Sequence, residues 1–252
     1  MNKLSFASDY MAGAHPAVMA RLNETNLWNT AGYGCDEFSE SARRKIREAA
    51  KCPKAAVYFL VGGTQTNATV IDAHLPSYQG VISADSGHVS VHEAGAIEFT
   101  RHKVLPLPQR NGKISAAQID AYCRCFYEDG NHDHMVMPGL VYLSQPTEYG
   151  TLYSLKELEE IREACSRWRL KLYVDGARLA YGLASPENDV AISDLARLCD
   201  AFYIGGTKCG ALLGEAVVFP EPDAAPGFFT LMKQHGALLA KGRLIGIQFD
   251  VL

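Results

Sequence analysis

Short apolar segments alternate with amphipathic helical segments along this 252-residue chain, and this alternation constrains its fold more than any other feature. Four segments place apolar residues at helical spacing: EFSESARRKIREAAKC, TQTNATVIDAHL, SAAQIDAYCRCFYE and SLKELEEIREACSRW. Ser154 and Glu157 form a capping-box pattern at the start of the last one. Seven segments between and around them are typical of strands: 56–61, 81–85, 103–107, 139–144, 171–175, 201–205 and 215–219. The alternation predicts an α/β fold with a mostly parallel seven-stranded sheet.

Composition disfavours several classes of function. The chain has 24 Lys and Arg against 28 Asp and Glu, a net charge of -4, and no basic block, so nucleic acid and acidic membrane surfaces are poor partners. The N-terminal sequence lacks the apolar region of a signal peptide, and no apolar run is long enough to span a bilayer, which predicts a cytoplasmic protein. The seven cysteines are scattered and are interpreted as reduced thiols.

Lys208 lies in the segment YIGGTKCGALLGEAVV, after an apolar strand and among small residues. The glycines around it allow another molecule to approach the main chain closely. Burial there would favour the neutral, nucleophilic amine that a Schiff-base lysine requires. The alternative for this segment alone is a strand-edge lysine before a glycine-rich hairpin.

The sequence GGTQTN, residues 62–67, follows the first predicted strand and opens a helix. Free backbone N–H groups at a helix N-terminus favour an anion such as phosphate, and the Thr64 hydroxyl adds a donor. An ordinary strand-to-helix turn with a threonine cap is the alternative.

His88 and His92 follow the second predicted strand, four residues apart, with Glu93 beside them. On a helix the two imidazoles would share a face as metal ligands do, but no third ligand follows at a recognised spacing, so we expect no metal site. A structural histidine and an imidazole that faces a bound ligand both remain open for His88.

Asp175 ends the fifth predicted strand, where a buried carboxylate requires a cation or a hydrogen-bond donor. Arg178 could supply the cation locally, and a protonated pyridine nitrogen of a ligand is the alternative. Pyridoxal phosphate (PLP) requires an anion cradle, a carboxylate at its ring nitrogen, a flat group over the ring and a lysine for its aldehyde. The sequence offers these four features in order.

These segments resemble those of the threonine aldolase and β-eliminating lyase family, which belongs to the aspartate-aminotransferase-like fold group. The similar segments span almost the whole chain: FASDYMAGAHPAV, YGCDEFSESARRKI, GGTQTN, GHVSVHEAGA, VDGARLAYG and IGGTKCGALLGEAVVF. The resemblance implies the three-layer α/β/α large domain of a fold-type I PLP-dependent enzyme. It also implies a homodimer or homotetramer that acts on a small amino acid.

The resemblance also assigns roles to individual residues. Lys208 would hold the cofactor, Asp175 would pair with its ring nitrogen, and His88 would stack on the ring and serve as a base. The remaining assignments are Gly63, Thr64 and Thr207 for the phosphate, Arg178 near the phenolic oxygen and the substrate, and Ser8, with its neighbour Asp9, near the substrate. In LAKGRLIGIQFD, Lys241 and Arg243 are candidates for the neighbouring subunit's site.

Two features of the chain depart from the family pattern. Many members carry a histidine near the substrate hydroxyl in the segment that matches SQPTEYG, where this chain has Glu148. Either a carboxylate is the base there or the substrate differs. Members also usually continue into a small C-terminal domain that supplies an arginine for the substrate carboxylate. We therefore expect an N-terminal segment at 1–30, a PLP-binding domain at 31–244, and the start of a missing small domain at 245–252.

The expected function is that of a PLP-dependent lyase on β-hydroxy-α-amino acids, a threonine or allo-threonine aldolase that yields glycine and acetaldehyde. A β-eliminating amino acid lyase is one alternative. A truncated PLP-binding or oligomerisation module with weak activity is the second, and a zinc hydrolase built on His88 and His92 is the third.

Overall fold

A computed structural model of the chain describes residues 5–252. Its strands confirm all seven predicted segments: β1 (Ala56–Leu60), β2 (Gln79–Ala84), β3 (Val104–Leu107), β4 (Met137–Ser144), β5 (Lys171–Asp175), β6 (Ala201–Gly205) and β7 (Glu215–Phe219). The helices are α1 (Pro16–Thr25), α2 (Glu37–Ala49), α3 (Gly63–His74), α4 (His88–Val91), α5 (Ala96–Phe99), α6 (Ala116–Glu128), α7 (Leu155–Trp168), α8 (Leu179–Leu183), α9 (Ile192–Leu198), α10 (Phe228–Gln234) and α11 (Arg243–Val251), with a 3₁₀ turn at His132–His134.

The strands form a single sheet in the order β1-β7-β6-β5-β4-β2-β3. All pairings are parallel except those of β7, which runs antiparallel to both β1 and β6. The carboxyl ends of the other strands therefore meet at one edge of the sheet, together with the amino end of β7. Ligand sites in such sheets form outside this edge.

Two apolar clusters cover the two faces of the sheet and give the three-layer arrangement that the sequence predicts. One cluster packs α2, α6, α7, α9 and α11 against alternate strand residues such as Val141 and Leu143. The other packs α3, α5 and α10 against the residues between them, such as Leu140 and Tyr142. Because successive strand side chains point to opposite faces, strands with both faces covered are apolar throughout.

The helix ends follow from local sequence. The Ser154 hydroxyl accepts from the Glu157 N–H while the Glu157 side chain accepts from the Ser154 N–H, so the predicted capping box at α7 is confirmed. The helical segments predicted from periodicity correspond to α2, α3, α6 and α7, whereas the short helices α4, α5 and α8 have too few residues to show a period. Among residues 5–252 no helix is both long enough and apolar enough to cross a membrane.

The predicted boundary between residues 244 and 245 falls inside α11. Ile245 and Phe249 of this helix are buried in the same cluster as α2, so residues 245–251 pack on the sheet domain. Residues 1–4 of the predicted N-terminal segment lie outside the described residues. The domain boundaries stay predictions.

Two glycines allow β5 and β6 to end in close contact beside Asp175. A Cβ on Gly176 would lie 1.9 Å from the Tyr203 carbonyl oxygen, and one on Gly205 would lie 2.4 Å from the Ala177 carbonyl oxygen. The Gly205 N–H donates to the Gly176 carbonyl at 2.9 Å. Any larger residue would push the two strand ends apart.

We expect Gly176→Ala to lower the free energy of unfolding by at least about 1–3 kcal/mol, because the added methyl group overlaps backbone that cannot move independently. Urea unfolding measures the change. Gly130→Ala is the matched control, since a Cβ there meets nothing within 4 Å. Equal stability of the two variants would contradict the close approach of β5 and β6.

Candidate active site

A cavity of about 250 Å³ opens at the edge of the sheet where the strand ends meet. Its walls bring together most of the residues that the sequence singles out. The lining includes Gly63, Thr64, His88, Glu148, Asp175, Arg178, Thr207 and Lys208, with Ser144, Tyr203 and Glu215 among the others. These residues come from segments up to about 150 positions apart, so only the topology of the sheet makes them neighbours.

The floor of the cavity at Gly62–Thr64 is the start of α3. Gly62 is the N-cap residue, and no side chain caps the helix. The first backbone N–H groups of α3 therefore have no partner within the helix, and the positive end of the helix dipole faces the cavity wall. This arrangement suits an anion such as a phosphate group.

Lys208 follows β6 and lines the cavity. Its carbonyl accepts a 2.6 Å hydrogen bond from the Tyr181 hydroxyl, which holds the turn that carries it. Among residues 5–252, no carboxylate forms an ion pair with the Lys208 amine. Nearby acids have other partners: Glu93 pairs with His88 and Asp9 with Arg178. An amine without a carboxylate partner is available to a carbonyl ligand.

Asp175 is 4% exposed and its carboxylate is satisfied without a cation. Oδ2 accepts from the Tyr142 hydroxyl at 2.6 Å and from Asn67 Nδ2 at 2.9 Å, while Oδ1 accepts from the Ala177 N–H at 2.9 Å. The alternative of a local pair with Arg178 is wrong, because the guanidinium binds Asp9 instead. The acid thus lines the cavity with three neutral donors and no cation partner among the described residues.

His88 is held from behind by a buried glutamate. Its Nδ1 lies 2.7 Å from Glu93 Oε1, and Glu93 is also 4% exposed. The hydrogen bond to Glu93 raises the pKa of His88 against the effect of burial. Burial in turn raises the pKa of Glu93, although His88 and Asn67 both oppose this. Since Nδ1 is engaged, Nε2 is the ring nitrogen left for a ligand.

Asn67 joins the two buried acids. Its amide donates to Glu93 Oε1 at 2.7 Å and to Asp175 Oδ2 at 2.9 Å, and its Oδ1 accepts from the Tyr173 hydroxyl at 2.8 Å. The whole amide is therefore used, one hydrogen on each carboxylate. The imidazole and the strand-end carboxylate are linked through a single buried side chain.

Glu148 also lines the cavity. Its Oε1 accepts from the His88 backbone N–H at 2.9 Å and from the Ser144 hydroxyl at 2.6 Å. Glu148 therefore accepts a hydrogen bond from the first backbone N–H of α4. The two predicted bases line the same cavity.

Arg178 and the N-terminal segment meet at the cavity. The Arg178 guanidinium forms an ion pair with Asp9 through both Nε and Nη2. The hydrogen bond to Asp9 raises the pKa of Arg178. Burial alone would raise the pKa of Asp9, but the Arg178 guanidinium outweighs burial and the pKa of Asp9 is lowered. Ser8 is half-buried next to Asp9 but is not part of the cavity lining, so its predicted contact with substrate stays a prediction.

Thr207 is paired with a buried acid that the sequence does not single out. The Thr207 hydroxyl donates to Glu215 Oε1 at 3.0 Å, and the Gly206 N–H lies 3.3 Å from Glu215 Oε2. Burial raises the pKa of Glu215 to about 8. Glu215 enters the site because β7 is antiparallel and begins at this edge.

Two predicted residues lie elsewhere in the structure. Arg243 donates to the Asn26 and Trp28 carbonyls of its own chain, and neither it nor Lys241 lines the cavity. The rings of His88 and His92 are 5.7 Å apart, and among the described residues no three His, Cys, Asp or Glu side chains are grouped as metal ligands.

Sequence reasoning missed Asn67, Tyr142 and Glu215, and considered Glu93 only beside a metal. Asn67 and Glu93 stand within segments that the family resemblance covers, and the helical spacing of Asn67 from Thr64 offered a weak signal. Tyr142 and Glu215 lie within apolar strands, where polar groups require partners that no local pattern reveals.

Fold and cavity define an α/β enzyme with a lysine, a buried carboxylate and an anion cradle at its strand ends. A model of the family described as beta-eliminating lyase matches residues 5–244, and the chain belongs to this family. A low specificity L-threonine aldolase of Pseudomonas aeruginosa is 33% identical over 242 residues, which cover 95% of this chain and 68% of that protein. A low specificity L-threonine aldolase of Saccharomyces cerevisiae is 27% identical over 223 residues, which cover 85% of this chain and 55% of that protein.

Solved structures agree with this assignment. A Leishmania major threonine aldolase superposes with a TM-score of 0.95 at 45% identity, and the match covers 99% of this chain and 72% of that chain. An aspartate aminotransferase from Thermus thermophilus has a TM-score of 0.73 at 13% identity, which shows a shared fold alone. The predicted family and fold class are both confirmed.

We expect Glu93→Gln to lower the pKa of His88, because the amide removes the charge that stabilises the imidazolium while the burial that opposes it remains. NMR titration of the His88 ring in the cofactor-free protein measures this shift. Glu128→Gln, at the exposed end of α6, is the control. If the His88 titration were unchanged in Glu93→Gln, the assigned hydrogen bond would be wrong.

Proposed function

We propose that the protein is a PLP-dependent lyase that cleaves L-threonine and related β-hydroxy-α-amino acids into glycine and an aldehyde. The observation that carries the proposal is the convergence of Lys208, Asp175, His88 and the start of α3 on one cavity. Membership of the beta-eliminating lyase family and the named threonine aldolases that resemble the chain support it.

The donor set of the cavity fits PLP. The uncapped N-terminus of α3, with Gly63 and Thr64, would hold the phosphate, and Thr207 would contribute a hydroxyl. Asp175 would pair with the protonated ring nitrogen, and Lys208 would bind the aldehyde covalently. His88 would supply the flat face over the ring. When bound, PLP supplies an electron sink for the bonds at the substrate α-carbon.

The Asp175 carboxylate would face the ring nitrogen without a competing cation, because neutral donors hold it. The Tyr142 hydroxyl and the Asn67 amide stabilise the carboxylate without cancelling its charge. A neighbouring arginine would cancel part of that charge, and Arg178 is directed to Asp9 instead. A carboxylate held in this way would favour the protonated form of the ring nitrogen.

Proton removal from the substrate hydroxyl falls to His88 or Glu148. Glu93 fixes Nδ1 of His88 and leaves Nε2 to accept the proton, directly or through water. Glu148 lies 2.9 Å from the His88 N–H and stands in the position where many family members have a histidine. His88 is the stronger candidate, since the hydrogen bond to Glu93 orients its ring and raises its pKa, whereas one oxygen of Glu148 already accepts two hydrogen bonds.

Arg178 and Ser8 are proposed to bind the substrate. Besides Lys208, Arg178 is the other lysine or arginine in the cavity lining among the described residues. A substrate carboxylate would compete with Asp9 for its guanidinium. A homodimer or homotetramer, with Lys241 and Arg243 reaching the neighbouring site, remains part of the proposal.

Aldol cleavage and β-elimination are distinguished by their products. Purified protein with PLP and L-threonine should release acetaldehyde and an equal amount of glycine. A 2-oxo acid and ammonia in place of glycine would instead identify a β-eliminating lyase. Cofactor binding without either product would favour a PLP-binding module of weak activity.

We expect Lys208→Ala to abolish the borohydride-reducible absorbance at visible wavelengths and to reduce turnover to background, because no other lysine lines the cavity among the described residues. Absorbance spectra and thermal unfolding are measured on the same preparation. Lys156→Ala, an exposed residue of α7, should keep the spectrum. A normal spectrum in Lys208→Ala would defeat the proposal.

We expect Asp175→Asn to reduce kcat much more than it weakens cofactor binding. The neutral amide cannot balance a protonated ring nitrogen, and one lost charge-assisted hydrogen bond is worth roughly 1.5–3 kcal/mol. Cofactor titration and aldehyde release are compared with those of Asp133→Asn, an exposed residue. Unchanged turnover in Asp175→Asn would remove Asp175 from the mechanism.

A further inference from the structure

The Thr207 hydroxyl forms two hydrogen bonds, one as acceptor and one as donor of its single proton. Its oxygen accepts from the Gly214 N–H at 3.0 Å, and its proton is donated to Glu215 Oε1 at 3.0 Å. While Glu215 is ionised it can only accept hydrogen bonds, so this proton is committed to it. Thr207 then offers a phosphate in the cavity no donor.

Protonation of Glu215 reverses this hydrogen bond. A protonated carboxyl can donate to Thr207 Oγ1, which has a second lone pair beside the one that the Gly214 N–H uses. The Gly206 N–H lies 3.3 Å from Glu215 Oε2 and keeps one oxygen as an acceptor, which leaves Oε1 to carry the proton. The Thr207 proton is then free to turn into the cavity.

We infer that Glu215 is a positioning residue that controls, through its own proton, whether Thr207 can donate a hydrogen bond to the phosphate group of the ligand. The inference rests on the proposed function for the presence of that phosphate. In the protonated state the site gains a donor and avoids a second negative charge beside the phosphate. In the ionised state it has neither advantage.

The surroundings of Glu215 favour the protonated state near neutral pH. Burial raises the pKa of Glu215 to about 8, and the charge of Asp175 adds to this, whereas Thr207, Gly206 and Lys208 oppose it. Across the sheet Glu215 is paired with Leu60 of β1 and Gly205 of β6, which carry no charge. Burial keeps the pKa of the nearby Tyr203 well above its usual range and raises that of Cys209, so both stay neutral.

Pyridoxamine 5'-phosphate and pyridoxamine are the probes, because they differ only in the phosphate and neither forms a covalent bond with Lys208. The ratio of their dissociation constants in the cofactor-free protein isolates the contribution of the phosphate. Above its second pKa, about 6, a phosphate monoester keeps its charge, so its own titration does not affect the ratio between pH 7 and 9.5.

In the unsubstituted protein we expect the advantage of the phosphorylated probe to be full below about pH 8 and to fall above it. The decline approaches about tenfold per pH unit, as expected when binding requires one proton. Glu215→Gln should keep the advantage up to pH 9.5, because its amide N–H₂ donates to Thr207 permanently. Glu221→Gln, an exposed glutamate, should behave as the unsubstituted protein does.

Thr207→Val separates the hydroxyl from the charge of Glu215. It should reduce the phosphate advantage below pH 8 and remove most of its pH dependence. A full pH dependence in Thr207→Val would show that the Glu215 charge acts directly on the phosphate, and the relay through Thr207 would be overturned. The same conclusion follows if Glu215→Gln keeps the decline of the unsubstituted protein.

Unfolding of the cofactor-free protein by urea checks the proton on Glu215 without any ligand. When folding raises the pKa of a carboxyl, the free energy of unfolding falls as pH rises from the pKa of the unfolded state to that of the folded state. The unsubstituted protein should therefore lose stability relative to Glu215→Gln between pH 5 and 9. A constant difference over this range would overturn the inference.

The results also separate this inference from the proposed function. If pyridoxamine 5'-phosphate does not bind at any pH, the proposed function is wrong and the inference fails with it. If the probe binds with a phosphate advantage that does not depend on pH, the proposed function stands and only the role of Glu215 is overturned.

Discussion

The hydrogen bonds that hold the Asp175 carboxylate are the constraint on which the rest of the site depends. A buried carboxylate without a cation is stable only if donors surround it, and here they come from Tyr142 on β4, Asn67 on α3 and the turn after β5. These donors fix the positions of two strand ends and one helix around the cavity. The same Asn67 amide reaches Glu93, which orients His88. Satisfying one acid thus arranges several groups of the site at once.

The site contains three buried acids with different surroundings. Asp175 has three donors, whereas burial raises the pKa of both Glu93 and Glu215. Glu93 has a histidine partner that a proton can charge, and Glu215 has only a hydroxyl and a backbone N–H. Environments that push the pKa values of neighbouring acids apart are typical of catalytic sites.

The sequence predicts the sheet well because each strand is a short apolar run flanked by turn residues, and such runs carry their own signal. Lys208, Asp175 and His88 could be identified because each lies at or shortly after the carboxyl end of a strand and resembles a family position. The Thr207–Glu215 pair could not, since β7 reads as an apolar strand and nothing in EAVVF indicates that it runs antiparallel. The pairing of Arg178 with Asp9, 169 residues away, could not be predicted either, because sequence patterns indicate local partners and not distant ones.

The reversed direction of β7 has a consequence for how the site can vary. Several cavity residues that follow the parallel strands, such as Glu148, Arg178 and Lys208, lie in turns, where insertions and substitutions change position and conformation readily. Glu215 is instead the first residue of a strand paired on both sides, so its backbone is fixed by β1 and β6. One wall of the cavity therefore belongs to the rigid frame rather than to the adaptable rim. A change of ligand preference by loop remodelling would leave this wall where it is.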